Sequence, residues 1–208
     1  MAASGFESRH AYPPRVIKEA ITNAILHRDY RYTRDINIRI FDDRIEVESP
    51  GEFVPNITPS NIETAGSSPR NPSLVSHIRE FPNPPNVDAG EGVPMMFAAM
   101  RSTGLYPPRY TSHTSTAIPT VTVTLLNESR PEIWEQVSAF LDANGEMANR
   151  DLRKIVGADT LQATRLLKGW VEKGLIVRQG SGKRNASYRK PSSLDEEFNH
   201  LLGRLLGD

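Results

Sequence analysis

Three side chains able to do chemistry stand one helical turn apart near the start of the sequence: Glu19, Asn23 and His27, within KEAITNAILHRDY. A carboxylate, a carboxamide and an imidazole can between them take a proton and both donate and accept hydrogen bonds. Spacing of four residues puts all three on one side of a helix. Such a row is either a solvated face or the wall of a pocket. A second group lies downstream. Gln162, Arg165 and Lys168 recur along TLQATRLLKGWVEKG, and Arg178, Lys183, Arg184, Arg189 and Lys190 follow it. Gln and Arg can bond bidentately to adenine and guanine edges. Dispersed cations neutralise phosphates. Other chemistries are closed. The chain has no cysteine, so no thiolate nucleophile or thiolate metal site. Its five histidines show no His-x-x-x-His or His-x-His spacing, and no Gly-x-Ser-x-Gly occurs. No dedicated metal cage is expected.

These groups need elements to hold them. Residues 14–28 read as a helix opened by Pro13-Pro14, with Ile17, Ala20, Ile21, Ala24 and Ile25 as its apolar stripe. DINIRIF (35–41) alternates, so Ile36, Ile38 and Ile40 are expected on a buried strand face. Asp42-Asp43 turns the chain into RIEVE, completing a hairpin. Residues 50–92 are rich in Pro, Asn, Ser and Gly, and read as a long loop with one helix near Leu74, Val75 and Ile78. VPMMFAAMRSTG reads as a helix ending at Gly104, with Met95, Met96 and Met100 in the core, and TVTVTLL reads as a third strand. Helix, hairpin, loop, helix and strand imply an α+β layer.

NESRPE is polar and holds a proline, which suits a linker. Beyond it come helices over 132–143 (Ile133, Val137, Phe140 and Leu141 inward), 149–156 and 160–174, the last closed by Gly174. LIVRQ and ASYRK then read as strands around GSGKRN. The tail pairs Ser193 with Glu196 as a capping box and carries a leucine stripe over 194–206.

Net charge is zero, with 25 Lys and Arg against 25 Asp and Glu, but the halves differ. Residues 1–128 hold 12 basic and 14 acidic side chains; residues 148–190 hold 11 and 3. The neutral total hides a basic segment, the footprint of a polyanion partner. No 18-residue apolar run and no signal-like leader is present. A cytoplasmic protein without membrane contact is expected.

The downstream segment resembles a winged helix-turn-helix domain: three short helices, then a basic hairpin. In such a domain the third helix enters the major groove and the wing rests on the backbone or minor groove. The resemblance implies that Gln162, Arg165 and Lys168 face bases, with Arg178, Lys183, Arg184 and Arg189 on phosphates. The other reading is a protein-contact module whose charge is merely solvated.

The upstream segment resembles the Bergerat-fold ATPases. Glu19 and Asn23 match the first-helix Glu-x-x-x-Asn, where the Asn holds a magnesium ion on the phosphates and the Glu activates water in hydrolytic members. YPPRVIKEAITNAILHRDY, IFDDRIEVESPGEFVP, RNPSLV and GEGVPMMFAAMRSTGLYPPRY resemble, more narrowly, the C-terminal ATPase-like domain of RecG-like proteins bearing helicase or transcriptional-regulator names. Those proteins carry an AlbA-like or Schlafen-like domain ahead of it; none precedes it here, as expected of a fragment or a reduced form. No GxxxxGK[ST] loop occurs, so the helicase name does not carry over. SPGEFVP stands where the family has its Asp-Asn-Gly box. Gly51 fits the first glycine. Ser49 replaces the adenine-binding Asp, and Phe53 replaces a glycine. Gly90 and Gly92 fit the second glycine box, at a helix start whose N–H groups can cradle phosphate. Residues 52–89 correspond to the ATP lid, from which Arg70 and Asn71 can reach a phosphate. His27 is a further nucleotide-side candidate or a structural hydrogen-bonding residue.

The expectation is thus an α+β chain. A two-layer Bergerat-type sandwich spans 1–126, with its lid at 52–89. A linker at 127–131 joins it to a winged helix at 132–190, and a terminal helix spans 191–208. Its expected role is a DNA-binding regulator with a degenerate domain that senses nucleotide or scaffolds a dimer. Its partners are double-stranded DNA, a nucleotide and a second copy; its cofactors are ATP and Mg²⁺. The alternatives are a magnesium-dependent ATPase with Glu19 as base and Asn23 on the metal, and an interaction module with an empty pocket.

Overall fold

Proline opens α1 (Pro14–Leu26), where its missing N–H would lack an intrahelical partner in any case. The computed structural model describes residues 12–82, 84, 90–180, 186–192 and 195, and the chain forms two units divided between Ser129 and Arg130. In the first unit α1 packs on β2 (Arg44–Pro50) and α3 (Gly92–Ser102). Its buried face takes in the expected stripe except Ile25, and extends past it to Val16 and Glu19. Val16, Glu19, Ala20 and Ala24 are buried; Ile17 and Ile21 are half-buried, and Ile25 is 38% exposed. The adjoining row Glu19, Asn23, His27 also turns inward, onto a cavity described below.

The sheet has the order β1-β2-β4-β3, with every pair antiparallel: β1 (Asn37–Ile40), β2, β3 (Arg109–His113) and β4 (Thr120–Leu126). One face bears Val47, Tyr110, Val123 and Leu125, which close a core with Val16, Met96 and Met100. Met95 is half-buried against that core. The opposite face is polar, with Thr111, Thr122, Thr124 and Glu48 all buried. Burial pushes the Glu48 pKa up, but Arg39 at 3.2 Å and Arg34 at 2.7 Å outweigh it and hold the net shift downward.

The alternation in DINIRIF does form a strand, yet Ile38 and Ile40 are 48% and 77% exposed, against the expectation of a buried face. β1 is the edge strand, and only Ile36 packs against the core. The hairpin closes through Phe41 N–H to the Arg44 carbonyl, with the Arg44 guanidinium 3.8 Å over the Phe41 ring. β3 was not read from the sequence. Within the long loop one helix forms, α2 (Pro72–Arg79).

The second unit runs α4 (Ile133–Asn144), β5 (Met147–Ala148), α5 (Asn149–Val156), α6 (Thr160–Glu172), β6 (Val177–Gln179), β7 (Ser187–Arg189), with sheet order β5-β7-β6. β5 is an addition to the expected elements. Asp159 caps α6 by accepting the Gln162 N–H at 2.8 Å, and Asp151 accepts the Ala148 N–H at the start of α5. Ala163, Leu167 and Trp170 turn inward, as do Val137, Leu141 and Leu152. Phe140 and Ile133 are only half-buried; Trp134 takes the central place, edge-to-face on Trp170 with centroids 5.1 Å apart. Among the described residues no helix is long and apolar enough to cross a membrane. The Ser193–Glu196 capping pair and the leucine stripe over 194–206 fall outside the described residues.

Candidate functional site

Antiparallel pairing of Ser49 with Val121 and of Pro50 with Thr120 brings the end of β2 beneath the C-terminal half of α1. Ser49 donates its hydroxyl proton to the Ala24 carbonyl at 2.8 Å, pinning helix to sheet. Gly51 then turns the chain at φ +124°, a conformation that favours glycine. A Cβ there would also lie 3.0 Å from the Asp29 Cβ. Asp29 N–H bonds the Pro50 carbonyl, and the Arg31 guanidinium holds the Asp29 carboxyl down at about 2.

Between α1, the end of β2 and the start of α3 lies a cavity of about 140 Å³. Glu19, Asn23, His27, Ser49, Gly51, Arg70, Gly90 and Gly92 all line it. The segment after β2 roofs it with Phe53, Ile57, Ile62 and residues 66–68. Phe53 and Ile62 also pack on the core, and space remains beneath them.

Glu19 is buried, and its carboxylate occupies the place a side chain at Gly92 would fill. Burial raises its pKa above the ordinary carboxylate value; the Asn23 amide, then Arg15 and Lys18, oppose the rise. Asn23 Nδ2 is itself buried without a partner at hydrogen-bonding geometry, although it stands beside Glu19. His27 is pushed down by burial and then by Arg70, which keeps its ring neutral at pH 7.

Arg70 and Asn71 do something the sequence did not announce. Arg70 donates to the His27 carbonyl at 3.1 Å and the Glu52 carbonyl at 2.5 Å, and stands 3.5 Å from Asp29. Asn71 does not line the cavity; its Nδ2 donates to the Leu26 and Arg28 carbonyls, both at 2.8 Å. The carbonyls of Leu26, the last residue of α1, of its C-cap His27 and of Arg28 just beyond it are thus satisfied from the roofing segment. Asn71→Ala strips two of them. A loss of about 1–3 kcal/mol in unfolding free energy is expected, read as a lower urea midpoint at unchanged slope.

In the second unit Gln162, Arg165, Lys168 and Arg178 are exposed. Lys168 lies 3.6 Å from Glu172. Arg189 is committed to both oxygens of Asp195, at 2.5 and 2.7 Å, and Lys190 to Asp142 at 2.7 Å. Lys183 and Arg184 lie outside the described residues. Among the described residues no cluster of His, Asp and Glu could hold a metal on its own.

The first unit is an α+β domain: an antiparallel sheet with two helices on one face and, between them, a cavity whose largely apolar wall is broken by Glu19, Asn23, His27, Ser49 and the glycines. Residues 33–125 match the family model described as "Putative ATP-dependent DNA helicase recG C-terminal". That match runs from the approach to β1 through β4 and leaves α1, with Glu19 and Asn23, outside it. A solved structure, the DIP2311 protein from Corynebacterium diphtheriae, is similar at TM-score 0.52 and 22% identity, over 90% of this chain and 42% of that one. At that identity the likeness concerns fold alone, and the chain spans less than half the length of that protein. No curated protein matches.

Proposed function

We propose that the chain is a DNA-binding transcriptional regulator whose first unit senses a nucleotide. One observation carries the sensing half: Glu19, Asn23, Ser49, Gly51 and Gly92, far apart in sequence, line one open cavity. The cavity suits a magnesium nucleotide on three counts. Asn23 Nδ2, buried beside Glu19 but outside hydrogen-bonding geometry with it, is a donor that a phosphate oxygen would meet, while its Oδ1 is the atom able to face a metal. Gly92 has no room for a Cβ. The first turn of α3 has no side-chain cap, which leaves its N–H groups for an anion. In this reading Asn23 faces the metal, the Gly90–Gly92 turn takes phosphates, and Ser49 accepts from an amino group. Arg70 contributes positive charge at the cavity wall while holding α1. Calorimetric titration with ATP·Mg²⁺ tests it. Saturable heat and a raised melting temperature are expected. Neither would leave the unit as a dimer scaffold or an interaction module with an empty pocket.

The second unit supports the DNA half. Helix, short strand, two helices and a strand pair follow the order of a winged helix, and the exposed side of α6 carries Gln162, Arg165 and Lys168. Arg165→Ala is expected to weaken duplex binding by about 1–3 kcal/mol where it meets a base. Lys168→Ala is expected to lower the slope of log affinity against log salt by about one. Both are read by fluorescence anisotropy across salt. An unchanged slope counts against phosphate contact from this helix.

Hydrolysis is the second reading, favoured by the raised Glu19 pKa, since a base tuned toward neutrality is more effective. Its test is phosphate release by wild type and Glu19→Ala. Equal background rates exclude it; loss in the variant supports it.

A further inference from the structure

One side chain on α6 does not fit a solvated face. Leu161 is 60% exposed, among the largest exposed apolar residues described. It is not at the helix margin of the core: Ala163, Leu167 and Trp170 point the other way and are buried. Spacings of four, three and four residues put Leu161, Arg165, Lys168 and Glu172 on one stripe. Leu161 therefore stands in the first turn of α6 at the head of a row that holds the exposed Arg165 and a Lys168 paired with Glu172 at 3.6 Å, with Gln162 one position round the helix and also exposed. The Asp159 cap fixes this turn, and Asn149 Nδ2 bonded to Thr164 Oγ1 at 3.1 Å ties it to α5. An exposed leucine with an arginine next to it on the same stripe, and a glutamine farther round the same side, matches one surface well. In the major groove of B-DNA, hydrogen-bonding base edges alternate with the apolar C5-methyl of thymine. First-turn residues of a groove-entering helix are the ones that reach the bases.

We propose that Leu161 reads a thymine methyl, so that the sequence recognised holds a thymine beside the position met by Arg165. The charge around the leucine favours DNA as occupant: Arg165 and Lys168 on its own stripe would meet phosphates or guanine, whereas a protein partner would have to cover both cations. The inference rests on the DNA-binding reading above, and the test separates the two.

The full chain is used to enrich duplexes from a random library, and the winning duplex is resynthesised with uracil in place of each thymine in turn. That change removes one methyl group and nothing else. For wild type, uracil at one position is expected to weaken binding about fourfold, the worth of one buried carbon. For Leu161→Ala, thymine and uracil at that position should bind equally, while other positions keep their preferences. Because Leu161 is exposed and alanine favours helix, the variant should keep the wild-type melting temperature. Leu161→Met, which retains apolar reach, should preserve the discrimination. DNA binding with no thymine–uracil difference in wild type overturns this inference and leaves the DNA reading standing. The same difference in wild type and Leu161→Ala also overturns it. No enriched duplex at all overturns both.

Discussion

Gly92→Ala is expected to abolish the nucleotide binding proposed for the first unit and to lower that unit's stability by about 1–3 kcal/mol, the usual cost of overpacking. A Cβ at this position would lie 1.7 Å from Glu19 Oε1 and 2.5 Å from Glu19 Cδ. Backbone strain is not the cause, since Gly92 begins α3 as an ordinary helical residue. The cause is occupancy: the carboxylate sits where the methyl would go. Glu19 must swing away, and the space open to it is the cavity itself. A desolvated carboxylate moved into the cavity both fills it and repels phosphate. The double variant Gly92→Ala with Glu19→Ala removes the clash, so its stability loss should be smaller than the sum of the single losses. Binding should not return, because the cradle now carries a methyl group. Denaturation midpoints and ATP·Mg²⁺ titration on the four proteins check both statements. Additive losses would mean that Glu19 does not rest on Gly92 in solution.

Trp170→Ala is expected to unfold the second unit alone. Trp170 is 2% exposed and meets Trp134 edge-to-face, and the backbone of Leu175 returns to the Trp170 carbonyl at 2.9 Å. Truncating a buried tryptophan costs about 3–5 kcal/mol, and loss of the aromatic pair adds about 0.5–1.5. Small domains hold only about 5–15 kcal/mol in total. Hydrogen exchange should therefore show amides of α4 and α6 losing protection while those of β2 and β4 keep it. Equal loss in both units would mean that they fold as one cooperative body.

What could be read from residues alone followed from local pattern. The first helix, β4 and α6 announce themselves by periodicity and by their proline and glycine ends. β3 does not, because RYTSH carries one large apolar residue, Tyr110, and its polar members Thr111 and His113 lie on the other face of the sheet. β5 is two residues long and exists only because β7 pairs with it. Alternation in β1 was legible, but which strand ends at the rim is a matter of topology, so Ile38 and Ile40 were misplaced. At the site, the row of Glu19, Asn23 and His27 could be seen, and what it faces could not, since that depends on how α1 packs against β2 and α3. The parts taken by Arg70 and Asn71 depend on a contact across more than 40 residues and left no local trace.

The four-residue rim strand also sets where the sheet comes apart. β1 is held from one side over four positions, whereas β2 is zipped to β4 over seven. Amides of β1 are therefore expected to exchange deuterium before those of the interior strand β2. Ser49 and Pro50 close the far end of the β2–β4 zipper, beyond the last residue that β1 reaches. The molecule can lose its outer margin and keep the floor of its cavity intact.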